Sequence, residues 1–392
     1  MTVPPQSAVS PATRPDAAAS VRYVAWLAGT WAVLLVLSYF TLRDPNALAA
    51  SNRVSIERSV FQSINVGAAA GFVSNFARPD DFAAPVRVVF VVQTLSGVLL
   101  SLAGGGVLLS RLLGRSYTDS QITKTALAMM AIAFVGGQLV AGGGLAGGLR
   151  GLCALGCAGS LFGGMSSNGP IVSLLLVPLS IVGALGVVVV RDLFETARGR
   201  HALSEHAWRV ITLMAGSYVV TIALMMTLAP PDGERPADVL VRYDSLFWSA
   251  RGWGEATLFG SSWPPNLVWP VLGVMLVGAG TAGAAGSIGF GWLFTMPARL
   301  QTVVTNALTA QAVLATATLA ALAFFEPTLS PVRRTLLVAS AVMNLGLSHE
   351  PLSLTGVSLL ALAACVAVAK VLPLIVLGLA VRDLPVSQKA PT

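Results

Sequence analysis

Between Tyr243 and Phe290 the chain joins two segments that rarely meet, a short polar hairpin and a long apolar run broken by small residues. The hairpin, which ends at Gly254, is too short to cross a bilayer, because a spanning helix needs about 20 apolar residues. The run behind it is long enough, yet glycines at 278, 280, 283, 286 and 289 interrupt it, alternating with Ala, Thr and Ser. Irregular backbone is tolerated at membrane depth only where it lines a water-filled cavity or is buried in protein. The stretch therefore predicts a membrane protein with a pore lining. Gly278 to Gly283 also fits the GxGxxG spacing of phosphate-binding loops, but that chemistry needs a strand before the glycines and a βαβ unit around them, whereas these lie inside an apolar span. For the glycines taken alone, close helix packing through small residues is the competing explanation.

Composition narrows the class. Of 392 residues 55% are hydrophobic and 10% charged, with a mean hydropathy of +0.77, against about 25% charged in soluble domains. The chain has no HExxH, no nucleophile pattern and no paired intramembrane acids, so neither an enzyme nor a bound cofactor is expected. Cys153, Cys157 and Cys365 lack zinc-ligand spacing and read as buried small residues. His201, His206 and His349 likewise read as surface residues of the loops. Residues 1–20 are rich in Pro, Ala and Ser and are expected to form a disordered tail, with a second tail over 383–392. No cleavable signal is expected, because the first apolar run is longer than a signal core and ends in Arg43 and Asp44.

In chain order the apolar runs fall near Tyr23 to Leu42, Val88 to Leu109, Ala126 to Val140, Ile171 to Val190, Val210 to Leu228, the broken run, Val303 to Phe325, and Val357 to Val381. A shorter hairpin lies inside each successive pair. The fold class read from this is an all-α polytopic membrane protein, one domain over 21–382, with four span, hairpin, span units at about 21–115, 116–200, 201–298 and 299–382. The hairpin glycines Gly71, Gly159, Gly254 and Gly346 are 88, 95 and 92 residues apart. Near-constant spacing marks duplicated units. Two spans per unit bring every hairpin in from the same side, so four can converge on a central axis. The inner connections are shorter and more densely basic, which predicts cytoplasmic N- and C-termini in a cell inner (plasma) membrane and hairpins that face outward.

The residues of the hairpins carry a family resemblance. Ser249-Ala-Arg-Gly-Trp-Gly254 is similar to a third-unit SARTAG, with Thr257 and Pro265 in register, and Ser340 to Ser348 is similar to a fourth-unit SAFGTVGLS. Ala284-Ala-Gly-Ser-Ile288 resembles the TAGGI of an intramembrane gate loop. Gly183-Ala-Leu-Gly186 with Arg191-Asp192, Leu203-Ser204 and His206 resembles the stretch after a second unit, and Lys370-Val-Leu-Pro373 an RVGP in the last span. From about residue 58 to 382 the chain thus resembles the Trk/Ktr/HKT superfamily of potassium transporters, particularly its KtrB/TrkH-like membrane subunits.

The resemblance implies transport of K⁺, or of Na⁺, with ion ligands at the backbone carbonyls of Gly71, Gly159, Gly254 and Gly346. The filter would comprise Ala70, Gly71, Ala158, Gly159, Trp253, Gly254, Leu345 and Gly346. The gate would comprise Gly278, Gly280, Thr281, Gly283, Gly286, Ser287, Gly289 and Lys370. It also implies a homodimer in membrane lipid, bound on its cytosolic face to a ring of nucleotide-binding regulatory subunits through the basic loop Arg191 to Arg209, and no nucleic-acid partner. The chain departs from the pattern in its filter triplets, Ala68 to Ala70, Gly156 to Ala158, Arg251 to Trp253 and Met343 to Leu345, which are poor in Thr and Asn, and in Gly289, where the gate motif often closes on lysine. Glu255 is a candidate cation attractor, and Arg251 a candidate brace against Asp244 or Glu255.

Lys370 sits near the middle of the last span, so its ammonium must reach gate-loop carbonyls, the aqueous cavity or, by snorkelling, the inner surface. A bulky residue at Gly283 is expected to alter flux more than one at Gly97 in the second span. Two other readings stay open: a small-solute transporter holding its substrate in the broken span, and a non-conducting assembly or regulatory subunit.

Overall fold

The computed structural model describes residues 17–48, 54–72, 82–140, 144–156, 170–228, 267, 269–273, 298–344, 354 and 356–383. Among them the secondary structure is helical, with one isolated antiparallel bridge between Leu48 and Phe82. The helices, numbered here in chain order, are α1 (Ala17–Arg43), α2 (Ile56–Ala68), α3 (Ala84–Leu99), α4 (Gly105–Leu112), α5 (Asp119–Val140), α6 (Gly144–Leu155), α7 (Pro170–Ala197), α8 (Glu205–Leu228), α9 (Ala298–Phe325), α10 (Pro331–Val342) and α11 (Gly356–Arg382). A π-helical turn, Leu100–Gly104, joins α3 to α4.

Six of these helices are long and apolar enough to cross a membrane: α1, α3 continued through α4, α5, α8, α9 and α11. The protein is an all-α polytopic membrane protein. Three short helices, α2, α6 and α10, lie between longer ones at the expected hairpins. They stay short for local reasons. Ser330 caps α10 by accepting from the Arg333 amide, with Pro331 in the first turn, where its missing N–H costs nothing. At the other end of α2, Ala69 turns left-handed (φ 52), which an L-residue other than Asn or Asp adopts only under constraint.

Some boundaries differ from the sequence reading. The first helix reaches back to Ala17, into the expected tail, because Ser20 is fully buried and its hydroxyl donates to Asp119 at 2.9 Å. Helix α7 runs on to Ala197, so Arg191 belongs to a helix rather than to the inner loop. It is also broken at Gly186 (φ 78), a backbone state open to glycine, and contains Pro178.

Two apolar cores share α11. Its first half packs Leu359, Leu362 and Val366 with residues of α2 and α10, while Leu374, Leu377 and Val381 join α1, α3 and α4. The last helix therefore lies against α1 to α4, which in turn meet the following helices through contacts of α3 with α6 and α4 with α7. Cys153 and Cys365 are buried within these cores.

The adjoining ends of α1, α4, α5 and α7 are tied by a polar cluster. Arg111, buried at the end of α4, donates to Ser20 Oγ (3.0 Å) and the Tyr117 carbonyl (2.8 Å) and pairs with Asp119. Asp192, fully buried on α7, accepts from Tyr117 Oη (2.6 Å) and Ser204 Oγ and faces Arg115 at 3.4 Å. Arg191 and Arg200 both pair with Glu195. Burial, with the hydrogen bond to Asp192 and its charge, holds the Tyr117 phenol far above its ordinary range. His201, exposed, approaches Tyr117 Oη at 3.3 Å.

Candidate functional site

The first hairpin is the best-defined candidate. Helix α2 ends at Ala68, and Ala70, Gly71 (φ 81) and Phe72 continue in a buried, non-helical segment. A helix leaves its last four carbonyls without partners. Here each acquires one. Asn65 O accepts from the Ala70 amide (2.9 Å) and Val66 O from the Ala69 amide (3.0 Å). Gly67 O accepts from Trp31 Nε1 of α1 at 2.6 Å, and Ala68 O accepts from Lys370 Nζ of α11 at 2.8 Å. Helix C-termini carry partial negative charge, so an ammonium is well placed there.

Lys370 thus does not snorkel, and the gate-loop carbonyls it was expected to reach lie outside the described residues. Its side chain is buried, and its partner is a carbonyl three residues before the Gly71 of the first hairpin. The contact spans 302 positions of sequence.

Around this turn the chain uses polar groups that the sequence reading passed over. The Asn65 side chain grips Phe72 from both sides, donating Nδ2 to its carbonyl (2.8 Å) and accepting its amide at Oδ1 (3.0 Å). Gln93, fully buried on α3, donates to Ser63 O at 2.8 Å. The available signal was an uncharged polar residue inside an apolar span, which lipid disfavours unless it has a partner.

Two backbone approaches frame the short helices. A Cβ on Gly97 would stand 1.9 Å from Gly67 O, and one on Gly183 would stand 1.8 Å from Leu155 O. Gly67 and Leu155 each lie four residues before a hairpin glycine, Gly71 and Gly159. Helices α3 and α7 therefore touch the corresponding carbonyls of the short helices α2 and α6, and only glycine permits it. Gly97 is consequently no neutral reference for a substitution at Gly283. In the fourth unit Asn344, two residues before Gly346, is left-handed (φ 54), as Ala69 is two residues before Gly71.

Of the remaining filter residues, Ala158, Gly159, Trp253, Gly254, Leu345 and Gly346 lie outside the described residues. So do the gate residues Gly278, Gly280, Thr281, Gly283, Gly286, Ser287 and Gly289, together with Cys157, Asp244, Arg251, Glu255 and His349.

What the described residues define is a polytopic helical membrane protein in which short helices end in buried turns between spans. No protein-family model matches the chain, and no curated protein does. Among solved structures, the crystal structure of the potassium transporter TrkH from Vibrio parahaemolyticus is similar, with a TM-score of 0.62 over 91% of this chain and 85% of that one, at 14% identity. The chain has a Trk-like transporter fold. At that identity the likeness is one of fold, and function is argued from the site.

Proposed function

We propose that the protein carries monovalent cations, K⁺ foremost and Na⁺ as the alternative, through a filter formed by its four hairpins. Ions would shed water at carbonyl rings near Gly71, Gly159, Gly254 and Gly346 and then pass the glycine-rich stretch from Gly278 to Gly289, acting as gate. The observation that carries this reading is the first hairpin: a short buried helix whose end turns through a left-handed residue into Gly71, within a fold shared with a potassium transporter. The matching left-handed turn at Asn344 supports a second copy of the device. The reading includes an inner-membrane location with cytoplasmic termini, a homodimer, and a cytosolic nucleotide-binding ring docked on the basic segment from Arg191 to Arg209.

The test is growth of a potassium-uptake-deficient bacterium at low external K⁺, paired with ⁸⁶Rb⁺ uptake into proteoliposomes. Rescue together with uptake is the expected result. Membrane-inserted protein that gives neither would overturn conduction. It would favour the second reading, a non-conducting subunit, for which the ammonium of Lys370 on the carbonyl end of α2 is the specific support.

A further inference from the structure

We infer that Asn65 is the positioning residue of the first filter segment and a determinant of its ion preference. The inference rests on the cation-conducting reading. A stretch of filter backbone has no regular secondary structure to hold it, and its carbonyls discriminate between ions only if their spacing is fixed. From Ala68 to Gly71 the side chains are three alanine methyls and a glycine hydrogen, so the segment contributes no polar side chain to its own support.

Asn65 supplies the missing hold. Its carboxamide is fully buried and spans the segment, with Nδ2 on the Phe72 carbonyl at 2.8 Å and Oδ1 on the Phe72 amide at 3.0 Å. Its own carbonyl accepts from Ala70 at 2.9 Å. One residue therefore fixes both ends of Ala70–Gly71, and the Phe72 ring packs against Phe61 at 6.2 Å. A carboxamide donates and accepts in one plane at this reach while staying neutral at every pH. The same position, six residues before the hairpin glycine, holds Cys153 in the second unit and Ser340 in the fourth, both buried and neither able to make the paired contact.

The test uses the full chain in proteoliposomes, with wild type, Asn65→Ala, Asn65→Asp and Asn65→Ser. The ratio of ⁸⁶Rb⁺ to ²²Na⁺ uptake is measured, along with hydrogen exchange of peptides that contain Phe72. Asn65→Ala should lower the uptake ratio by about tenfold, the scale of one lost buried hydrogen bond. Asn65→Asp can keep both contacts only as the neutral acid, so its ratio should fall as pH rises and the carboxylate forms against the Phe72 carbonyl, while Asn65→Ser, too short for the paired contact, should lower the ratio at every pH. A role in folding alone would reduce uptake of both ions in proportion to inserted protein and leave the ratio untouched. An unchanged ratio in Asn65→Ala would overturn the inference while leaving conduction standing. If wild type carries neither ion, the conduction reading fails on its own and exchange decides the clamp. Loss of Phe72 protection in Asn65→Ala would uphold the positioning role, and retained protection would refute it.

Discussion

Lys370→Met removes a cation that sits at 2.8 Å from Ala68 O and replaces it with an apolar chain of similar length. Two stability effects oppose each other. A charge at the centre of a span costs about 2.5–3.5 kcal/mol on insertion scales, whereas a buried carbonyl stripped of its donor costs about 1–3 kcal/mol. Insertion and thermal stability should therefore stay the same or improve slightly. Transport should respond far more. A permeating cation that used Ala68 O as a ligand would stand at most about twice the observed distance from Nζ, roughly 5.6 Å, and at an effective dielectric of about 20 the repulsion is about 3 kcal/mol. That corresponds to roughly a hundredfold in rate, reduced wherever water screens the pair. Lys370→Met is thus expected to raise ⁸⁶Rb⁺ flux per inserted molecule by one to two orders of magnitude, with Lys370→Arg close to wild type. Equal flux in Lys370→Met and wild type, at equal membrane content, would refute the claim that this ammonium opposes permeation.

Ala69→Gly should hold or raise the melting temperature in detergent, because the left-handed conformation at φ 52 costs an L-residue about 1–2 kcal/mol, and Ala69→Val should lower it; a lower value for Gly would count against strain there. Gly97→Ala and Gly183→Ala should each destabilise by about 1–3 kcal/mol, since the added Cβ meets a backbone carbonyl, while Gly378→Ala, in open space, should be neutral or stabilising; equal effects at all three positions in a thermal-shift assay would refute the close-approach argument. Tyr117 is protonated in the folded state well above its unfolded pKa of about 10, so its contribution is complete below that pH and declines as pH rises beyond it. The stability difference between wild type and Tyr117→Phe should therefore be constant from pH 7 to 9 and shrink above pH 10, and a difference independent of pH would contradict the link to Asp192.

Much of the fold was readable because lipid leaves a chain few choices. Apolar runs long enough to span must be helices, so α1, α5, α8, α9 and α11 were each marked by composition, and the short helices α2, α6 and α10 fell where the runs were interrupted. Helix ends were less legible: α1 starts at Ala17 because a buried Ser20 finds Asp119, a partner 99 residues away that no local pattern announces. The candidate site divides in the same way. Gly71 could be marked from spacing, because glycine tolerates the backbone a tight turn needs, whereas the left-handed turns at Ala69 and Asn344 were not marked. What tertiary structure alone decided is who satisfies the end of α2. Trp31 is an ordinary residue of its own segment in the sequence, and Lys370 is marked there only as a charge within a span, with nothing to say which carbonyl it meets. They become a set only when α1 and α11 close around one helix, because an orphaned carbonyl in a medium without water must be answered by whichever donor the packing brings within reach.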